Sequence, residues 1–114
     1  MTPTPLEPAP ASLAHGRDVW LKREDQHELG AFKWRGAVPA MRAFRDAGAA
    51  AVVTASTGNH GAASAWAAAK LGMRAIVYAP EGSTQAKLDL IQRHGRVYRG
   101  DHLPQRGRHR GQID

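Results

Sequence analysis

The fold is decided by Ala49–Gly72, which reads AAAVVTASTGNHGAASAWAAAKLG. The part up to Ser56 is a short apolar run of the kind found in buried parallel strands. The residues TGNHG interrupt this run, and the alanine-rich segment that follows has high helix propensity and is closed by Gly72. This stretch therefore predicts a buried strand, a tight loop and a helix in direct succession.

The same alternation continues towards the C-terminus. A second buried strand is predicted at Arg74–Ala79 (RAIVYA), and a third begins at Arg96–Tyr98 (RVY). Between them, Ser83 or Thr84 can cap a helix that reaches His94. Strands and helices that alternate across short connections build a parallel sheet through right-handed crossovers. We therefore predict an α/β fold in which helices cover a parallel sheet.

The N-terminal part has a different pattern. Its first dozen residues are rich in proline and predict an extended arm rather than a helix or a core strand. Alternating apolar residues at Asp18–Asp25 predict a short strand. From Phe32 to Arg45 the apolar residues fall at helical spacing. Because Pro39 lies inside that segment, we expect a kink or an irregular first turn.

Size and composition exclude several classes of protein. A chain of 114 residues is long enough for one domain with a modest core. It has no apolar run near the roughly 20 residues needed to cross a bilayer, and its N-terminus lacks the features of a signal peptide. Cysteine is absent, which removes thiolate chemistry and suits a reducing cytoplasm. We therefore expect a cytoplasmic protein without a membrane partner.

The net charge of +6 raises the question of nucleic-acid binding. The basic excess is spread along the chain, and no aromatic residue interleaves with the arginines beyond Arg99 to offer a stacking platform. We therefore expect no nucleic-acid partner. The apolar periodicity also disappears after Tyr98, so we expect residues 1–98 to be an unfinished α/β portion and residues 99–114 an irregular basic tail. Either the chain is a fragment, or this tail is not its natural continuation.

One segment with candidate chemistry is ELGAFKWRGA, Glu28–Ala37, in which Lys33 lies between two aromatic residues. The stem of Lys33 could pack on the rings while its head reaches water. Alternatively, the head could be desolvated, which would lower its pKa and leave a neutral amine as a nucleophile. The local sequence favours the first alternative, because such lysines usually extend to solvent.

The other candidate segment is STGNHG, Ser56–Gly61, between a predicted strand and a predicted helix. Ligands of open parallel sheets bind at this edge, and the N–H groups of a helix N-terminus favour an anion. Ser56, Thr57 and Asn59 add polar side chains. They could equally cap the helix without binding a ligand. His60 has no partner at metal-ligand spacing, so we expect no metal site.

These motifs occur in a recognisable order. Together, TPL near the N-terminus, WLKREDQHELGAFKWRGA and ASTGNHGAASAWAAAKLG resemble the N-terminal part of the fold-type-II pyridoxal-phosphate enzymes. The resemblance is to threonine/serine dehydratases in particular, and to the related serine racemases and threonine synthases, and it extends from about Thr4 to Tyr98. It implies a partial three-layer fold of the tryptophan synthase beta type. The glycine-rich loop that grips the cofactor phosphate in this family normally lies beyond the matched segment.

The resemblance also implies roles for individual residues. Lys33 matches the lysine that carries pyridoxal phosphate as an internal Schiff base and then takes the proton from the α-carbon of the substrate. Asn59 matches the asparagine that donates a hydrogen bond to, or accepts one from, the ring hydroxyl of the cofactor. The substrate carboxylate would be held by the loop residues Ser56, Thr57, Gly58 and His60.

The function implied by the resemblance is that of a lyase that deaminates L-threonine or L-serine to a 2-oxo acid and ammonia. Its partners would be a small amino-acid substrate and, in the full-length parent, further copies of itself in a homo-oligomer. Two alternatives remain open, a threonine synthase-like enzyme that uses the same cofactor and a non-catalytic α/β fragment. Without the phosphate loop, we expect this chain alone to bind the cofactor weakly.

Overall fold

The computed structural model describes residues 3–56 and 58–99. The chain divides into two compact units, of which the first ends at Phe32 and the second begins at Lys33. The elements of the first unit are β1 (Leu6–Pro8), α1 (Ala11–Ala14), β2 (Trp20–Lys22) and a 3-10 turn (Glu24–Gln26). The elements of the second unit are α2 (Trp34–Asp46), β3 (Ala51–Ala55), α3 (Asn59–Lys70), β4 (Arg74–Ala79), α4 (Gln85–Gln92) and β5 (Arg96–Arg99).

The first unit corrects the expectation for the proline-rich segment. β1 is extended, as predicted, and pairs antiparallel with β2, with Pro8 opposite Trp20. The prediction that the first dozen residues contain no helix is wrong, because α1 begins at Ala11. Pro10 directly precedes this helix with a φ of −57°. Proline is tolerated there because its missing N–H removes no helical hydrogen bond.

An arginine in the first unit holds two carboxylates. The Arg23 guanidinium forms ion pairs with Glu7 and, at 2.6 Å, with Asp25. The hydrogen bond from Arg23 is the main cause that lowers the pKa of Asp25 from 3.8 to about 2. Because the pKa is lowered on folding, the pair stabilises the unit above about pH 3.8 and loses this contribution as the pH falls through about 2.

This ion pair can be tested by an NMR titration of the Asp25 carboxyl carbon. In Arg23→Gln the pKa of Asp25 should rise towards 3.8, because the charged hydrogen-bond donor is lost. Arg17→Gln is the control, since Arg17 takes no part in this group of ion pairs. An unchanged titration of Asp25 in Arg23→Gln would contradict the assignment.

The sheet of the second unit has the predicted parallel arrangement. β3, β4 and β5 are neighbours in sequence order, with Ala51 opposite Arg74 and Ala79 opposite Arg99. Helix α3 connects β3 to β4, and α4 connects β4 to β5. The prediction of an α/β fold with a parallel sheet is therefore confirmed. The bounds predicted for β4 are those observed, and β5 continues one residue further than the predicted RVY segment, to Arg99.

The core of the second unit lies between α3 and the sheet. Residues 61–68 of α3 are all buried, and Trp66 is only 1% exposed. Val77 of β4 and the α4 residues Leu88 and Ile91 are also almost fully buried. Most of the buried α3 residues are alanines, and their small side chains let the helix backbone lie close to the strands. This close approach explains why an alanine-rich helix here is a buried helix.

Gly61 is required by this close approach. A Cβ on Gly61 would lie 2.9 Å from Val77 Cγ1 and 3.0 Å from Ser56 Cβ. We therefore expect Gly61→Ala to lower the free energy of unfolding by about 1–3 kcal/mol, as overpacking of a core does. Urea unfolding followed by circular dichroism measures this change.

Gly36→Ala is the matched control for that substitution. Gly36 lies in α2, and a Cβ there would have no atom within 4 Å. Alanine has the higher helix propensity, so the control should gain up to about 1 kcal/mol. Equal effects of the two substitutions would show that helix propensity, and not the contact with Val77, determines the result.

Helix α2 packs on α3 through aromatic residues. Trp34 and Met41 are its buried residues, and the ring of Trp34 contacts Trp66 edge-on, with centroids 5.8 Å apart. The helix includes Pro39, which is exposed. It begins at Trp34, two residues after the predicted start at Phe32. None of the helices in the described ranges is long and apolar enough to cross a membrane.

Candidate active site

Lys33 directly precedes the first residue of α2. Its backbone is helical, with φ −63° and ψ −20°, and its carbonyl accepts the N–H of Ala37 at 3.1 Å. The Lys33 side chain is exposed. Within residues 3–56 and 58–99, its amine has no hydrogen bond or ion pair. The backbone of Lys33 is therefore fixed at the start of a helix, and its amine is exposed without a partner in the described part of the chain.

The aromatic neighbours of Lys33 differ in burial. Trp34 is buried and lies under the guanidinium of Arg35, which is 4.4 Å from the ring centroid. Phe32, the last residue of the first unit, is 63% exposed. The exposure of Lys33 agrees with the first of the two alternatives, in which the lysine head reaches solvent.

Lys33 lines a cavity of about 420 Å³ in the second unit. Polar groups come from Lys33, Thr54, His60 and Ser64. The rest of the wall consists of small and apolar side chains, Gly36, Ala37, Ala40, Met41, Phe44 and Val53. Its volume and mainly apolar wall are typical of a small-molecule site. The polar groups of Thr54 and Ser64 were not singled out as ligand contacts from the sequence.

His60 is held against β3 at this cavity. Its Nε2 lies 3.2 Å from Thr54 Oγ1, so that these two groups share a hydrogen bond. This bond orients the ring, and its other nitrogen has no hydrogen bond among the described residues. The structure thus brings together Lys33 and His60, which are far apart in the sequence.

The loop before α3 is organised by Ser56. The Ser56 hydroxyl accepts the N–H of Gly58 at 3.2 Å and the N–H of Gly61 at 2.8 Å. Ser56 therefore has the capping role that was one of the two alternatives. Its hydroxyl hydrogen is still available, since both of these bonds use the oxygen as acceptor. Thr57, the neighbouring predicted site residue, lies outside the described residues.

The first turn of α3 keeps the capacity to bind an anion. The backbone N–H groups of Asn59 and His60 have no acceptor in the described part of the chain. The first N–H groups of a helix carry a partial positive charge, which favours an anion. The side-chain amide of Asn59 likewise has no hydrogen bond among the described residues. Capping by Ser56 and anion binding by the neighbouring N–H groups are therefore compatible.

The predicted site residues fall into two groups. Lys33 and His60 line the cavity, whereas Ser56, Gly58 and Asn59 do not contribute to its wall and belong to the loop and the start of α3. Lys87 of α4 was not among the predicted site residues, and its ammonium nitrogen would be 3.2 Å from a Cβ on Gly58. A signal was available in its position, because lysine is unfavourable in the first turn of a helix.

Comparisons with known proteins show the family to which this chain belongs. The family model described as "Pyridoxal-phosphate dependent enzyme" matches residues 1–107. The chain is 43% identical over 94 residues to L-threonine dehydratase biosynthetic IlvA of Burkholderia multivorans, which covers 81% of this chain and 18% of that protein. It is 45% identical over 82 residues to threonine synthase of Synechocystis sp., which covers 69% of this chain and 22% of that protein.

The fold has a counterpart among solved structures. Maize serine racemase superposes with a TM-score of 0.75 at 31% identity, over 84% of this chain and 30% of that protein. The chain thus spans about a fifth of the length of the curated relatives it matches. The match of the family model to almost the whole chain is decisive. The chain belongs to the family of pyridoxal-phosphate dependent enzymes.

Proposed function

We propose that this chain is the N-terminal portion of a lyase that deaminates L-threonine or L-serine to a 2-oxo acid and ammonia. The observation that supports this most directly is the position of Lys33, which lines the 420 Å³ cavity and whose amine has no partner among the described residues. The similarity to a threonine dehydratase favours this reaction over others in the family.

The residues of the chain fit pyridoxal phosphate, the cofactor of the family. The amine of Lys33 is exposed and therefore accessible to an aldehyde, and the cavity that Lys33 lines includes the small residues Gly36, Ala37 and Ala40. Asn59 has a side-chain amide with no partner in residues 3–56 and 58–99, so it can bond the ring hydroxyl. When bound, the cofactor would supply an electron sink that stabilises the negative charge left on the substrate α-carbon when its proton is removed.

The remaining steps fall to side chains and backbone groups of this chain. The amine Nζ of Lys33 would hold the cofactor and would accept the proton from the substrate α-carbon, a task that requires a neutral amine. The Ser56 hydroxyl and the N–H groups at the start of α3 hold the substrate carboxylate. We assign Thr57, Gly58 and His60 to the same task.

The experiment that tests this function uses the protein that carries this chain. L-threonine and L-serine are supplied separately, and the 2-oxo acid and the ammonia that are released are measured. We expect the two products in equal amounts. Lys33→Ala serves as the inactive control. The proposal is contradicted if neither amino acid yields a 2-oxo acid while the protein contains its cofactor.

A second candidate function is threonine synthesis, which the similarity to the Synechocystis threonine synthase supports. The two reactions differ in whether threonine is consumed or formed. Phosphohomoserine is therefore supplied to the same protein, and phosphate and threonine are measured. Turnover of phosphohomoserine without release of 2-oxo acid from threonine would reverse the order of the two candidates.

The organisation of the whole protein is part of the proposal. We assign residues 1–98 to the enzyme and residues 99–114 to a basic tail. The first residue of this tail, Arg99, is the last residue of β5, and the family match continues to residue 107. We also propose a cytoplasmic homo-oligomer for the full-length parent. Size-exclusion chromatography with light scattering of that parent would show its number of subunits.

A further inference from the structure

Lys87 of α4 extends to the loop before α3. It is the third residue of α4, and its Nζ, Cδ and Cε would lie 3.2, 3.3 and 3.4 Å from a Cβ on Gly58. The end of the lysine side chain is therefore in contact with Gly58, which directly precedes α3. The Lys87 side chain therefore lies at the N-terminal ends of two helices, α3 and α4.

The ammonium group of Lys87 lies in an unfavourable electrostatic position. The first turn of α4 contains no acidic residue, and neither does the first turn of α3. Both N-termini carry a partial positive charge, which disfavours a cation. In residues 3–56 and 58–99 the ammonium forms no ion pair or hydrogen bond. An anion placed between the two helix ends would relieve this repulsion.

A second cavity adjoins Lys87. Its volume is about 310 Å³, and it is lined by Pro80, Gly82, Ser83, Thr84 and Lys87. The Oγ of Ser83 is buried and has no hydrogen-bond partner in the described residues. A buried hydroxyl without a partner destabilises the folded chain, so this atom is suited to a ligand that restores the bond.

The backbone around this cavity offers further donors. The Thr84 hydroxyl caps α4 by accepting the N–H of Lys87 at 3.4 Å. The preceding N–H groups, those of Gln85 and Ala86, have no acceptor in the described part of the chain. The cavity wall therefore includes a lysine and a serine whose hydroxyl is buried, and the N–H groups of Gln85 and Ala86 follow in the first turn of α4. Each of these groups can donate a hydrogen bond to an oxyanion.

We propose that Ser83 and Lys87 form an anion-binding site for a phosphate or carboxylate group of a small molecule. This Ser83–Lys87 site lies at the start of α4 and is separate from the cavity lined by Lys33. It goes beyond the proposed function, because it requires neither Lys33 nor the cofactor.

The test is a titration of the 114-residue chain, without cofactor, with inorganic phosphate and separately with succinate at constant ionic strength. Backbone N–H shifts of Gln85 and Ala86 are followed by NMR. We expect saturable binding that weakens at least tenfold in Lys87→Gln and also weakens in Ser83→Ala. Tighter binding of phosphate than of succinate would identify a phosphate-bearing ligand, and the reverse order would identify a carboxylate.

Lys70→Gln is the matched control. Lys70 lies in the last turn of α3, with its ammonium 5.4 Å from the ring centroid of Trp66. Its removal lowers the net charge by the same amount but should change the affinity less than twofold. Equal weakening by the Lys70 and Lys87 substitutions, or the absence of saturable binding to the unsubstituted chain, overturns the proposal.

Discussion

Replacing Lys33 with alanine is expected to lower kcat for 2-oxo acid release from L-threonine by at least about 10³-fold. The reason is that one amine has two tasks, holding the cofactor and accepting the α-proton. Lys33 lies at the start of α2, and its side-chain amine has no partner among the described residues. Alanine at this position should leave the helix itself intact. Steady-state kinetics of the protein that carries this chain measures the loss.

Two controls separate chemistry from structure in this experiment. Lys70→Ala removes a lysine from α3 outside the Lys33 cavity and should keep kcat within about twofold. A small primary amine added to Lys33→Ala should restore part of the activity, because it supplies a proton acceptor in place of Nζ. Activity of Lys33→Ala within tenfold of the unsubstituted protein would contradict the role of Lys33.

Replacing Trp66 with alanine is expected to lower the free energy of unfolding by about 3–5 kcal/mol. Trp66 is 1% exposed and has the largest side chain among those that are almost fully buried. Its removal leaves a cavity under α2, because its ring contacts that of Trp34 edge-on. Since small domains are stable by only about 5–15 kcal/mol, the substitution should remove a large part of the total. Urea unfolding measures the change.

Trp20→Ala is the matched control for the core substitution. Trp20 is 54% exposed on β2, where its Nε1 donates a hydrogen bond to the Asp18 carboxylate at 3.0 Å. Surface substitutions of this kind change stability by about 0.5 kcal/mol. If Trp66→Ala lowered the free energy of unfolding by less than about 1 kcal/mol, or by no more than Trp20→Ala does, the packing of α3 in the core would be contradicted.

The strands and helices of the second unit could be predicted because their signals are local. The apolar run of β4 is bounded by glycine and proline on its two sides, and its predicted bounds are those observed. Thr84, one of two predicted caps, is the residue that caps α4. By contrast, the pairing of β1 with β2 depends on residues that are distant in sequence. The prolines near β1 predicted an extended chain but not its pairing with β2.

The candidate site could be predicted only in part for the same reason. The loop Ser56–Gly61 follows from a strand that ends where a helix begins, which the local pattern shows. The cavity shared by Lys33 and His60 depends on how α2 packs against α3 and β3. The contact of Lys87 with Gly58 depends on the neighbouring positions of α3 and α4. No pattern within a single segment predicts contacts of this kind.

The most direct test of the central claim is to locate the lysine that binds the cofactor. The chain is incubated with excess pyridoxal phosphate and reduced with borohydride, which fixes the bond between a lysine amine and the aldehyde, and the peptides are then mapped by mass spectrometry. We expect the adduct on Lys33, and we expect no adduct at position 33 in Lys33→Ala. An adduct of equal amount on Lys22, Lys70 and Lys87, or an unchanged adduct in Lys33→Ala, would contradict it.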